Sequence, residues 1–317
     1  MSTRATVHRA VAAALALAML PLAGCSLFRD PRTEAYERLT GARPAVHAAG
    51  SVTVDFDVVV GPRDYRRKAY WRGTTRLQYG DRPASETWFT LAAVEQSTLA
   101  QPGASRHFEI QSIVSDGLPR AESVRYYLSE DWDTPEGRPW VRIEPGLPLE
   151  YGARASGSDD ADPGGAWVLV EVGPPGTYVN PDLGLLDPEW YLLLLTSIGQ
   201  FAVEDPENGR REEIDGVTTD VYEVQCLIGD LYEDDVTDCQ FPGEDDQLRQ
   251  LFANHNISID VWLDGDNRPR RLAARFLFDN ANGVYTAEAE LTFRDYGAPV
   301  DITPPSADQV TGWPPVP

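Results

Sequence analysis

Lysine is nearly missing from this chain: Lys68 stands against 26 arginines, and the 27 basic residues face 50 acidic ones. A formal net charge of −23 argues against nucleic-acid binding, which relies on Lys and Arg neutralising phosphates. It argues equally against electrostatic adhesion to anionic lipid. Histidine is scarce as well. His8, His47, His107 and His255 show no HExxH spacing and no evident cysteine or serine partner in the sequence. There is no GxSxG elbow and no phosphate loop. The catalytic inventory is therefore thin, and no enzyme, cofactor or metal centre is expected; a cluster of His107 or His255 with carboxylates in a pocket would be the enzymatic alternative. Long apolar runs are lacking too: the stretch Ala10 to Leu22 falls short of the about 20 residues that a membrane-spanning helix needs.

What is present begins at the N-terminus. Arg4 and Arg9 precede the apolar run, and small residues then lead to Cys25 in Leu22-Ala23-Gly24-Cys25. A basic region, a short apolar region and a small-residue cleavage site form a secretory signal. The cysteine after Leu-Ala-Gly resembles the lipobox of bacterial lipoproteins, which implies a diacylglycerol on Cys25, often accompanied by palmitate, and removal of residues 1–24. An ordinary secretory signal with an incidental cysteine is the alternative. Removing Arg4 and Arg9 and no acid changes 27 minus 50 into 25 minus 50, a mature charge of −25. A covalent lipid would then have to hold the chain at the membrane, on its extracytoplasmic face.

Only Cys226 and Cys239 remain besides Cys25. An oxidising exterior is expected to join them as a disulfide; reduced thiols or a metal pair are the alternatives. Loops of about 15 residues closed in this way contribute about 3 kcal/mol in the chain-entropy model.

After a short tether from Ser26, Asp30-Pro31 starts a helix, and Gly41 and Pro44 are expected to break it. From Ser51 the apolar period changes to two. Val52, Val54, Phe56, Val58 and Val60 alternate with Thr53, Asp55 and Asp57, the pattern of a half-buried strand. Further alternations cover Ala69 to Tyr79, Glu86 to Glu95, Phe108 to Val114, Val124 to Leu128 and Trp140 to Glu144. Strands joined by short turns predict an antiparallel meander with one apolar face.

The rhythm stops over 145–184, where Ser156 to Gly165 forms an acidic tip. An insertion of this length reads as a binding loop, a lid or a disordered segment. Asp187-Pro188-Glu189 then opens a helix that is apolar nearly all round up to Gly199, so it should be buried over the sheet. Alternation returns over Val217 to Leu227, Ile257 to Leu263, Leu272 to Phe278 and Ala287 to Phe293, with an Asp264-Gly265-Asp266-Asn267 hairpin turn between two of them. Asp245 to Asn254 looks helical, and the tail after Pro299 looks extended.

The acids at Asp159, Asp160 and Asp162, and those from Asp230 to Asp238, do not fit a calcium loop, which requires Gly at the sixth position. They read as solvated charge. Arg63, Arg66, Arg67, Lys68, Arg268, Arg270 and Arg271 read as solubilising charges at hairpin ends. Asn256-Ile257-Ser258 fits a glycosylation sequon but falls at a strand start.

In the second half, Asp187 to Gly199 is followed by Ile214-Asp215-Gly216-Val217-Thr218-Thr219, Tyr222, Val261-Trp262-Leu263-Asp264, Pro269-Arg270-Arg271-Leu272 and Tyr296-Gly297-Ala298-Pro299-Val300-Asp301-Ile302. With the lipobox, this order resembles the actinobacterial LppX/LprG lipoproteins, relatives of the periplasmic carrier LolA. The resemblance covers Val46 to Pro305 in outline. It implies a mainly β fold with some α: a strongly bent antiparallel half-barrel sheet wrapped over a few helices, with an apolar cavity for acyl chains. The insertion and the acidic cysteine loop depart from that pattern.

The expected organisation is therefore a signal peptide (1–24), a lipidated cysteine, tether and helix (25–45), a LolA/LppX-like domain (46–305, with insertion 145–184 and acidic loop 226–239) and a Pro-rich tail (306–317). A one-sided sheet and an apolar helix must close over each other, and incomplete filling leaves an apolar cavity. Its candidate lining is Phe56, Val58, Trp71, Leu77, Phe108, Ile110, Tyr126, Leu128, Trp190, Leu194, Val261, Phe276 and Leu291, each an ordinary core residue if the filling is complete. The function expected is a membrane-anchored lipoprotein that binds or transports a lipid or glycolipid. The alternative is an envelope interaction module whose acidic loops meet a protein partner.

Overall fold

The structure is a computed structural model, and it describes residues 30–62, 67–95, 106–113, 124–129, 138–143, 170–171, 178–179, 185–196, 203–204, 209–228, 255–280 and 283–312. Cys25, Cys239, the insertion apart from two short strands, the acidic loops and the expected helix over Asp245 to Asn254 lie outside those residues.

Helix α1 (Pro31–Thr40) is capped by Asp30, whose carboxylate accepts the Arg32 N–H at 3.0 Å. The chain does not leave the helical path at Pro44, as the sequence reading expected. It turns at Gly41 and re-enters helix as α2 (Ala42–Ala49). Pro44 falls in the first turn of α2, where its missing N–H has no intrahelical acceptor to lose. Gly50 then ends α2 with φ of 82°, a left-handed conformation that glycine adopts without strain.

One large sheet follows. Strands β1 (Ser51–Pro62), β2 (Arg67–Gln78), β3 (Ala84–Glu95), β4 (Arg106–Ile113), β5 (Val124–Ser129) and β6 (Trp140–Ile143) form the expected meander. Val170–Glu171 (β7) and Tyr178–Val179 (β8) pair only with each other. After helix α3 (Pro188–Thr196) and β9 (Val203–Glu204), a second meander runs through β10 (Arg210–Ile214), β11 (Val217–Ile228), β12 (His255–Leu263), β13 (Pro269–Asn280) and β14 (Gly283–Arg294). The two meanders join because β14 pairs antiparallel with β1, Phe56 opposite Leu291 and Val58 opposite Ala289. The path β10-β11-β12-β13-β14-β1-β2-β3-β4-β5-β6-β15 is open, and β9 pairs with β11.

The last strand, β15 (Val310–Gly312), belongs to the tail expected to be merely extended. It pairs in parallel with Trp140 to Arg142 of β6. Edge pairing uses only backbone groups, so this segment needs no apolar alternation to join the sheet.

Local chemistry sets the turns. Asp215 and Gly216 both have positive φ, 49° and 78°, the requirement of a two-residue primed hairpin turn. At the β12–β13 hairpin, Asp264 is 4% exposed, and its carboxylate accepts the N–H of Asp266 and of Arg268, both at 2.9 Å. Its other oxygen receives Arg270 Nε and Nη2 at 3.0 and 2.7 Å. Arg268 and Arg270 also lie over the Tyr296 ring, and Arg271 pairs with Glu290. These arginines are thus structural partners rather than free solubilising charge.

Gly73 has a steric reason. A Cβ there would stand 2.1 Å from the Trp88 carbonyl oxygen, 2.7 Å from Phe89 Cβ and 2.8 Å from Phe56 Cζ. The missing side chain lets the Phe56 ring lie across β2, so only glycine fits.

Candidate functional site

Directly opposed residues in an antiparallel ladder share a face, so the register reads out the inner surface of the sheet. One row runs Tyr222, Val261, Leu272, Leu291, Phe56, Gly73, Phe89 and Phe108 across successive strands. The next runs Val224, Ile259, Ala274, Ala289, Val58, Trp71 and Leu91. Phe56, Val58, Trp71, Leu77, Val261, Phe276 and Leu291 are all buried and belong to one core.

Helix α3 closes over this surface. Trp190, Tyr191, Leu192, Leu194 and Leu195 are buried, and the rings of Trp190 and Tyr191 sit 5.6 and 6.1 Å from Phe276. Fully burying such side chains contributes about 1.5–3 kcal/mol each. The helix start is fixed by Asp187, whose carboxylate accepts the Glu189 N–H at 3.1 Å. Tyr191 donates its hydroxyl to the Leu185 carbonyl at 2.9 Å, which leaves this buried phenol satisfied, and burial pushes its ionisation well above the ordinary range.

Glu189 holds α3 in place. Its carboxylate accepts Arg43 Nε at 2.5 Å, lies 3.1 Å from His47 Nε2, and accepts the Tyr79 hydroxyl at 3.0 Å. Arg43 and His47 come from α2, and Tyr79 from the end of β2. The His47 ring stacks on Tyr79 with centroids 4.1 Å apart. Burial by itself would raise the Glu189 pKa, but the hydrogen bond from His47 and the charge of Arg43 outweigh it and hold the carboxyl below its ordinary value. For Tyr79, burial and then the Glu189 charge push the phenol well up. The sequence reading took Glu189 as a first-turn acid and His47 as partnerless. Nothing in spacing relates positions 43, 47, 79 and 189; only the fold brings them together.

The opposite face of the sheet is polar. It holds a concavity of about 720 Å³ among Asp55, Asp57, Arg72, Thr74, Ser258, Asp260, Arg275, Glu288 and Glu290. Most of its charges are paired across strands: Asp55 with Arg294, Asp57 with Arg72, and Glu288 with Arg275. Asp260 is the exception in tendency: burial and then neighbouring Glu223 raise its pKa.

The thirteen residues proposed as lining do not all share one face. Phe108 and Ile110 oppose Phe89 and Thr87, which places their positions on the inner face. Tyr126 opposes Gln111 and Leu128 opposes Glu109, so β5 presents those two positions to the other side. A strand read in isolation alternates correctly, yet the choice of face depends on its partner. Trp190 and Leu194 arrive from α3, with 6% and 0% exposure. Cys226 opposes Ile257 on β12.

Among the described residues, no group of three or more His, Cys, Asp or Glu could hold a metal ion. None of the described helices is long and apolar enough to cross a membrane.

No protein-family model and no curated protein matches this chain. Solved structures do. The chain is similar to LprF from Mycobacterium bovis, at 14% identity over 87% of this chain and 98% of that one, with a TM-score of 0.37. It is also similar to a DUF1329 family protein from Desulfovibrio piger, at 11% identity over 86% and 96% of the two chains, with a TM-score of 0.29. A domain from Vibrio parahaemolyticus described as outer-membrane lipoprotein-sorting is similar at 10% identity over 83% and 92%, with a TM-score of 0.26. The chain itself is a mostly β fold with few helices and one open sheet among its described residues.

Proposed function

We propose that this protein is an extracytoplasmic lipoprotein, anchored through a diacylglycerol on Cys25, that binds or transports a lipid or glycolipid between the inner face of its sheet and helix α3. The observation that carries this reading is the continuous apolar face itself. The rows from Tyr222 to Phe89 and from Val224 to Trp71 hold no charged residue. A short helix with five buried apolar or aromatic side chains lies over one part of it. Transfer of acyl chains onto such a surface is favourable by about 25 cal/mol per Å² removed from water.

Specificity in this reading is physical rather than catalytic. The Glu189 contacts to α2 and β2 tie the covering helix to the frame. Cys226 and Cys239 are proposed to be joined after export.

The test is organic-solvent extraction of protein purified from its native membrane, followed by mass spectrometry. A stoichiometric acyl lipid, absent from an unrelated lipoprotein purified in parallel, is the expected result. Protein that carries none and takes up none from labelled vesicles would overturn the reading.

A further inference from the structure

We propose that the indole N–H of Trp71 is the internal polar anchor of the ligand site, donating a hydrogen bond to the ester carbonyl of an acyl lipid. This inference rests on the lipid-binding reading above and narrows it to a ligand class and a contact atom.

Trp71 is 1% exposed, and its Nε1 has no hydrogen-bond partner among the described residues. A buried donor left in that state costs about 1–3 kcal/mol, and native structures keep few of them. The polar groups farther along the same face of β2 and β3 are already engaged: Thr75 and Thr87 bond each other at 3.0 Å.

The surroundings suit a chain rather than a side chain. The row leading to Trp71 passes over Ala274, Ala289 and Val58. Ala287 lies in the next row. Ala287 and Ala289 of β14 lie with Val58 and Val60 of β1 between Trp71 of β2 and Phe276 of β13, and Phe276 meets the rings of Trp190 and Tyr191. Small residues alone would indicate only close packing. With a buried, unpartnered donor standing on the same face, they describe an apolar strip that ends in one hydrogen bond.

The chemistry of the acceptor follows. A free carboxylate would bring a charge onto a row of apolar residues, which is far more costly than burying a neutral carbonyl. A hydroxyl would satisfy Trp71 but introduce a second donor. An ester carbonyl accepts one bond and adds no donor, and acyl chains attached to it match the apolar strip.

The experiment uses the full mature chain with two probes of equal chain length, dioctanoylglycerol and its dialkyl ether analogue. Trp71→Phe keeps a ring and removes the N–H. It is expected to weaken dioctanoylglycerol binding about 3- to 10-fold, the equivalent of one neutral hydrogen bond, and to leave ether binding within about twofold. In the wild type, the Trp71 indole N–H resonance should move downfield with the ester and stay with the ether. This second readout decides the matter if the variant does not fold. Equal loss for both probes, or no loss with an unmoved resonance, overturns the Trp71 assignment while lipid binding stands. Failure of the wild type to bind either probe overturns both.

Discussion

Replacing Glu189 tests whether the covering helix is tied down by one buried carboxylate. The Glu189 side chain is 11% exposed, and its partners Arg43 and His47 are 25% and 32% exposed. Glu189→Gln preserves volume and one acceptor oxygen but leaves the Arg43 guanidinium without its counter-charge. Removing one member of a fully buried pair costs about 3–5 kcal/mol. Because these cations are part-exposed, we expect about 2–3 kcal/mol here, in line with a charged hydrogen bond. Tyr79→Phe, which loses one neutral donor, should cost about 1 kcal/mol.

The Glu189 contribution depends on pH. The folded pKa of Glu189 is depressed, so its contribution is present above the unfolded value of about 4.3. It is lost as pH falls through the folded value. Urea unfolding at a series of pH values from about 7 down to about 3 should therefore show a wild-type advantage over Glu189→Gln that shrinks in the acid range. A cost under about 0.5 kcal/mol near neutral pH, within the spread of ordinary surface substitutions, would refute the clamp. So would a difference that does not change with pH.

Other perturbations have equally definite outcomes. Gly73→Ala puts a Cβ against the Trp88 backbone and Phe89, and should destabilise by about 1–3 kcal/mol or more, read as a lowered thermal midpoint. Asp264→Ala removes the acceptor for two turn amides and Arg270. It should cost about 3 kcal/mol, whereas Asp266→Ala, at an exposed position of the same turn, should stay within about 0.5 kcal/mol. Phe276→Ala empties the seat of Trp190 and Tyr191 and should cost about 3–5 kcal/mol, measured by denaturant unfolding. Cys25→Ser should shift the protein from the membrane fraction to the soluble one, and retention at the membrane would remove the proposed anchor.

The sequence by itself determined the strands and the buried helix, because each is written locally. Period-two alternation fixes a strand and its two faces. Asp187-Pro188-Glu189 fixes a helix start. Pairing was not written locally. That β14 returns to β1, that the tail adds β15 beside β6, and that the Tyr126 and Leu128 positions lie on the other face from those of Phe108 and Ile110 depend on partners remote in the chain. Pro44 misled for a related reason: its effect depends on where the helix restarts. The Glu189 cluster shows the division most clearly. Its four side chains span positions 43 to 189, and no local preference relates them. A buried carboxylate is stable only where cations and a hydroxyl converge on it, and convergence is a property of the folded chain alone.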